Sequence, residues 1–335
     1  MSYQSRPRIG ISIGDLNGIG SEVVLKCLDQ FSNFDFVPII FASSTLVSAL
    51  QEKFGTTLKL SQWHNQTTID QHTVYVANVW TETPAISYGT LDHSIGQYAF
   101  QSLEAATKAL RKEEIDVLLT APINKASIKS TDFPFPGHTD YLNQHLDGKS
   151  LMLMVSGSLR IGLLTDHLPL NEVSLAITVK LISEKIRAMH WSLRFDFDIE
   201  SPKIALLGLD PHAGDSGAIG QIDQDLIRPC LDSLRKKGID AEGPFAADGF
   251  FGSGMFKNYD GILACYHDQG LIPFKLLSFG KGVNFTAGLN RVRVSPDHGT
   301  AFDIAGQNKA SISSFKEALK AGITIHTNRL KQKGK

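Results

Sequence analysis

Short apolar runs alternate with helix-length amphipathic stretches along this chain, and that alternation constrains the fold more than any other feature. Residues 8–13 form an apolar run. A glycine-punctuated turn, Gly14 to Gly20, follows, and Ser21 is placed to cap a helix reaching about Phe31. Further strands are predicted at 37–41, 73–77 and 117–119, with helices at 44–54 and 96–112. Residues 151–155 and 159–164 read as strands paired across a tight Ser156-Gly157-Ser158 turn. Then come a helix at 178–195, a strand at 203–207, a helix at 222–237 and an apolar strand at 261–265. Pro244 to Gly249 reads as a loop. A last helix is expected from Ser313 to about Ala321, stopped by Gly322. Strands alternating with helices imply a parallel or mixed sheet with helices on both faces.

A chain of 335 residues exceeds the usual single core and suggests two domains. Hydrophobic and charged fractions of 42% and 20% are ordinary for a soluble enzyme. A net charge of −1 leaves no electrostatic footprint for nucleic acid or a membrane surface, so any anion-binding patch must be local. No apolar run approaches a membrane span, and the short polar start shows no signal-peptide core. Three cysteines without a C-x-x-C pair fit a reducing cytoplasm. The basic residues 329–335 are expected to fray.

Residues 264–306 concentrate the chemistry. His267 and Asp268 end an apolar strand, where α/β enzymes place ligands. Lys275, Lys281, Asn284, Arg291 and Arg293 follow, a local excess of anion-binding donors. In the loop His298 to Gly306, Gly299 permits close backbone approach, and Asp303 can accept hydrogen bonds from a ribose. Upstream, His138-Thr139 at a helix start can donate to a phosphate or carboxylate. The first turn lacks the G-x-G-x-x-G spacing, but Asp15 or Asn17 can face a cleft. His167, His212 and His267 each follow an apolar strand, 45 and 55 residues apart. Parallel strands carry their ends to one edge, so three neutral imidazoles can converge there on Zn²⁺, Co²⁺ or another late first-row ion.

The segments GDLNGIGSE, TAPINK, FPGHTDYL, HLPL, DPHAG, ADGFF, YHDQGLIPFK, GKGVN and VSPDHGTAFDIAG run in order across nearly the whole chain. Together they resemble the 4-hydroxythreonine-4-phosphate dehydrogenase family of pyridoxal-phosphate biosynthesis. The resemblance implies an α/β fold like isocitrate and isopropylmalate dehydrogenases: two α/β domains with mixed sheets and an interdomain cleft. The expected division is 1–130 plus 280–335 on the cofactor side, and 131–279 for metal, substrate and dimerisation. Also implied is a cytoplasmic homodimer with a shared active site. Carried over by position, the metal ligands are His167, His212 and His267, and the substrate contacts are His138, Thr139, Lys275, Asn284 and Arg293. His298, Gly299, Thr300 and Asp303 are implied to hold NAD, with NADP the alternative, disfavoured by the acidic side chain.

The implied reaction is oxidation of the secondary alcohol of 4-phosphohydroxy-L-threonine to 2-amino-3-oxo-4-phosphobutanoate, which decarboxylates to 3-amino-2-oxopropyl phosphate. The implied metal is Zn²⁺ first, with Co²⁺, Mg²⁺ or Mn²⁺ as alternatives. Lys275 and Asp248 are the candidates for general base. This sequence departs from the family's wording at Leu16-Asn17 and Ser21 in the first turn, at Asp210 and Asp215, and at Asp166 before His167. Those departures leave open a phosphothreonate or phosphoerythronate dehydrogenase of the same family. Readings of other classes are a phosphate acyltransferase of related fold, which needs no metal, and a metal-dependent phosphate-ester hydrolase.

Overall fold

The computed structural model describes residues 6–64, 68–130 and 132–333. The start of the polar N-terminal segment, residues 1–5, and the end of the basic tail, 334–335, lie outside the described residues. The chain divides into two compact units. Unit 1 is Met1–Asp147 with Asn290–His326, and unit 2 is Gly148–Leu289 with Thr327–Lys335. The sequence places its divisions at 130/131 and 279/280; the packing places them at 147/148 and 289/290 and gives residues 327–335 to unit 2.

Unit 1 begins with β1 (Arg8–Ser12), α1 (Gly20–Leu28), β2 (Val37–Ala42) and α2 (Ser44–Phe54). It continues through β3 (Lys59–Gln62), β4 (Thr73–Asn78), α3 (His93–Arg111), β5 (Val117–Thr120), α4 (Lys125–Ile128) and α5 (His138–His145). Ser43 caps α2 by accepting from Leu46 N, and Asp92 caps α3 by accepting from Ser94 N; the cap expected from Ser21 does not form, because α1 starts at Gly20 and Ser21 lies buried inside it. From Ile9 onward β1 is buried on both faces, as are all of β2 and β5, as a helix-covered parallel sheet requires.

Unit 2 holds β6 (Gly148–Ser156), β7 (Leu159–Leu163), α6 (Leu170–Ala176), α7 (Val179–Phe195), β8 (Ile204–Leu207), α8 (Arg228–Arg235), β9 (Ala241–Phe245), α9 (Ala247–Gly252), β10 (Gly261–Ala264), α10 (His267–Ser278) and β11 (Val283–Leu289). The chain returns to unit 1 with β12 (Val292–Pro296) and enters α11 (Ser313–Lys333). Strand order is β3-β4-β2-β1-β5-β12 in unit 1 and β11-β6-β7-β10-β8-β9 in unit 2. Pairs in unit 1 are parallel. Antiparallel pairing enters in unit 2, where β6 pairs β11 and the expected β6–β7 hairpin forms. The core of unit 2 gathers Met154, Ile161, Leu207, Ile262, Phe250 and Phe274.

Four expectations are corrected. The last helix runs through Gly322 to Lys333 instead of stopping there. A Cβ at Gly322 would stand 2.8 Å from Val117 and 3.0 Å from Val294, so this glycine permits close packing on β5 and β12. The basic tail is helical as far as Lys333, because Arg329 Nε donates to the buried Asp196 at 2.6 Å and Asn328 Nδ2 donates to the Asp196 carbonyl. The loop expected at 244–249 is the end of β9 followed by α9; β9 ends its strand order, and an edge strand tolerates Pro244. The helix expected at 222–237 opens with a wide π turn over Asp223–Ile227, next to Pro229, which has no N–H for the α-helical bond.

Candidate active site

In unit 1 the first turn, the 120–128 segment and the 298–310 loop pack together after the strands. Gly14 has φ 73°, and a side chain there would stand 2.3 Å from the Pro122 carbonyl, so only glycine fits. Asp15 N donates to that same carbonyl. The Asp15 carboxylate is buried; it accepts from Asn17 N and, at 2.5 Å, from Ser127 Oγ. Burial raises its pKa, and these hydrogen bonds pull the other way.

Arg293 lies on β12 opposite Leu118 of β5, and its Nη2 donates 2.7 Å to Thr120 Oγ1, two residues along β5. The guanidinium is 2% exposed, and burial brings its pKa down to about 9. His138 begins α5, held from behind by an aromatic cluster in which Tyr141 meets Phe133 and Phe135 and stacks on His145. Its Nε2 atom is buried and has no hydrogen-bond partner. Burial, then the charges of Arg293 and Lys125, hold the imidazole well below its ordinary 6.5. Thus His138, Thr139 and Arg293 share unit 1. Lys125, which the sequence argument passed over, joins them; TAPINK was the available signal. Arg291 is engaged elsewhere, with Glu113 at 2.6 Å.

The expected cofactor residues also lie in unit 1. Thr300 O accepts from Ile19 N, so the 298–303 loop is tied to the first turn. Glu22 of α1, fully buried, accepts from Ala310 N, and Lys26 donates to the Asn308 and Ala310 carbonyls. Asp303 remains exposed on this anchored loop, as does Gly299, and His298 is half-buried with Nδ1 against the Gly299 carbonyl. An exposed carboxylate on a fixed loop after a strand fits a ribose.

Unit 2 carries the three strand-end histidines. His167 and His267 come together, with ring centroids 6.1 Å apart. Asp268 Oδ1 lies 2.7 Å from His267 Nδ1, the carboxylate–imidazole pairing that orients metal-binding histidines. His212 does not close the set: among the described residues no three His, Cys, Asp or Glu side chains stand close enough to hold one ion. It opens a run from His212 to Ser216 with φ between 42° and 77°. The loop's root is fixed by Asp223, fully buried, whose two oxygens accept from Leu209 N and Asp210 N at 2.9 Å. His212 lines a cavity of about 400 Å³ with Asp210, Asp248, Tyr266, Gln269 and Ser174. Imidazole nitrogens suit a late first-row ion, and of the three histidines expected from the sequence the structure brings His167 and His267 near each other, while His212 stands in a separate loop. Asp248 lines that cavity; Lys275, exposed on α10, does not, and Asn284 sits half-buried on β11 opposite Met154.

These features define an α/β enzyme with its polar groups gathered beyond the strand ends, buried Arg293 and His138 in one unit and the His167–His267 ring pair in the other. The chain belongs to the PdxA family: residues 35–322 match the family described as pyridoxal phosphate biosynthetic protein PdxA. It is 41% identical to 4-hydroxythreonine-4-phosphate dehydrogenase of Bacteroides thetaiotaomicron over 98% of this chain and 92% of the relative. It is 38% identical to the protein of that name from Prosthecochloris aestuarii, over 95% of this chain and 97% of the relative. The crystal structure of 4-hydroxythreonine-4-phosphate dehydrogenase from Klebsiella pneumoniae superposes with a TM-score of 0.83 at 28% identity, covering 97% of this chain and 99% of that one. The α/β class expected from the sequence is the class observed.

Proposed function

We propose that this chain oxidises the secondary alcohol of 4-phosphohydroxy-L-threonine, with NAD as hydride acceptor and a divalent ion, Zn²⁺ first, as partner in pyridoxal-phosphate biosynthesis. The observation that carries the reading is the pairing of His138 and Arg293 in unit 1, an imidazole with a vacant buried nitrogen beside a buried guanidinium. Arg presents a fork to phosphate oxygens, and the start of α5 adds backbone donors. The names of the relatives support the substrate.

In this reading His138, Thr139 and Arg293 bind and orient the phosphate, with Lys275 and Asn284 as further contacts. His167, His212 and His267 would hold the ion, and Asp268 orients the His267 ring. When bound, the ion supplies Lewis acidity toward the substrate hydroxyl, and the nicotinamide supplies a hydride acceptor. Asp248, at the cavity beside His212, receives the hydroxyl proton. The 298–303 loop orients the nucleotide, and Asp303 repels a 2′-phosphate. The resulting β-keto acid loses CO₂ to give 3-amino-2-oxopropyl phosphate. A cytoplasmic homodimer belongs to the same reading, supported by exposed Ile272, Leu276 and Phe279 on and just after α10.

The test is an NADH-forming assay with 4-phosphohydroxy-L-threonine, with and without added Zn²⁺ or Co²⁺. Metal-dependent NADH formation is expected. Turnover of phosphothreonate or phosphoerythronate alone would move the substrate assignment within the family. Release of inorganic phosphate without NADH would overturn the dehydrogenase reading.

A further inference from the structure

Lys125 has a placement that ordinary surface lysines lack. It opens α4, a helix of only four residues, too short to hold itself. Its start is nevertheless fixed at several points. Asn124 Oδ1 accepts from Ala126 N at 2.9 Å and from Ser127 N at 3.1 Å. Ser127 Oγ reaches inward to the Asp15 carboxylate, which is 1% exposed. A buried carboxylate at the end of β1 thus pins the backbone that carries Lys125. Its side chain lies against Gly137, the residue before α5: a Cβ built on Gly137 would stand 3.8 Å from Lys125 Cε. The next residue is His138, whose imidazole feels the charges of both Lys125 and Arg293.

We propose that Lys125 is a third anion-binding side chain of the unit 1 corner, closing on the substrate's phosphate beside the start of α5, and that Asp15 acts through Ser127 to position it. The inference rests on the reading that this corner takes the phosphate. The division of labour follows from the groups. Arg293, rooted in β12 and bonded to Thr120, is fixed in direction. His138 Nε2 has an open hydrogen-bonding position. Lys125 is exposed, and its ammonium is a point charge on a flexible stem. Two cations and an imidazole facing the start of a helix form a field suited to a dianion more than to a single carboxylate. The Lys125 stem lies beside Gly137, where a Cβ would be in ordinary van der Waals contact with its Cε at 3.8 Å, which places the lysine next to the start of α5.

The experiment uses the full chain and inorganic phosphate as the probe, titrated calorimetrically into the parent, Lys125→Met, Lys125→Arg, Asp15→Asn and Arg293→Met. Lys125→Met is expected to weaken phosphate binding about tenfold or more, and Lys125→Arg much less. With the phosphorylated substrate, the Lys125→Met effect falls on KM rather than on kcat. Asp15→Asn shows a smaller defect of the same kind, and in the double variant with Lys125→Met it adds nothing, since both act through one ammonium. If Lys125→Met binds phosphate within about twofold of the parent while Arg293→Met loses it, the corner stands and Lys125 has no part in it. If neither substitution changes phosphate binding, the phosphate reading falls and the role of Lys125 falls with it. Additive losses from Asp15→Asn and Lys125→Met would overturn the positioning role.

Discussion

The imidazole rings of His167 and His267 stand 6.1 Å apart, centroid to centroid, with their planes at 38°. Imidazole nitrogen binds Zn²⁺ at about 2.0–2.1 Å, so rings at that separation can share one ion. His212 belongs to a different loop, and among the described residues no third His, Cys, Asp or Glu completes a metal-holding group with them. Replacing either His167 or His267 with Ala is therefore expected to cost more Co²⁺ affinity than His212→Ala, by about tenfold. Titration of Co²⁺ followed by its visible absorption measures this. A His212→Ala chain that binds Co²⁺ worst of the three would show that the pair is not the primary site.

Asp223 is expected to matter for the same centre without touching it. Its two oxygens take the N–H groups of Leu209 and Asp210, and it is wholly buried. Asp223→Ala orphans two backbone donors and is expected to destabilise the chain by about 3 kcal/mol, with Asp223→Asn costing less because one acceptor survives. Urea denaturation reads the difference. Cobalt affinity should fall in both variants, because His212 lies three residues beyond Leu209. Equal stability of parent and Asp223→Ala would mean that water replaces both bonds.

The depressed His138 pKa sets a pH dependence. Burial and two nearby cations keep the folded imidazole neutral below 6.5, where the unfolded chain takes up a proton. The unfolded state binds more protons in that window, so stability is complete above about pH 6.5 and declines as pH falls toward the folded pKa. The slope from this residue is at most about 1.4 kcal/mol per pH unit, and partial exposure reduces it. Inorganic phosphate should flatten the slope by favouring the charged imidazole. Chemical denaturation between pH 5 and pH 7, for the parent and for His138→Gln, separates this contribution from that of other histidines. An identical slope in the two chains would remove His138 as its source.

The sequence made strands and capped helices legible where both propensity and burial point the same way. Residues 37–42, 44–54 and 179–195 are such cases, with Ser43 and Thr178 capping as their side chains permit. It was less informative where tertiary context overrides local preference. Strand β3, mostly polar and exposed, has no alternating pattern to find. Gly322 looks like a stop signal yet sits inside a helix, because what decides its role is the proximity of Val117 and Val294. Strands β11 and β12 were hidden inside what reads as a cluster of cationic donors. The site followed the same rule. Motifs located His138, Arg293 and the histidines, and TAPINK contains Thr120 and Lys125, but the contacts through which those two and Asp223 act join different segments of the chain, which no spacing reveals.

Asp196 gives the sharpest stability test. Its carboxylate is fully buried, accepts from Ser192 Oγ, and meets Arg329 Nε at 2.6 Å. Burial raises its pKa despite the arginine, so the ion pair offsets desolvation only in part. Removing Arg329 alone leaves a charge with no compensation, and Arg329→Met is expected to destabilise by about 3–5 kcal/mol. Replacing both partners removes the unpaired charge, so Asp196→Asn combined with Arg329→Met should recover much of that loss. The single variant should regain stability as pH is lowered, because a carboxylate with a raised pKa is stabilised by protonation in the folded state. The measurement is a double-mutant cycle by urea unfolding at two pH values. Strict additivity in that cycle would show that residues 327–333 dock on unit 2 through packing, without help from this pair.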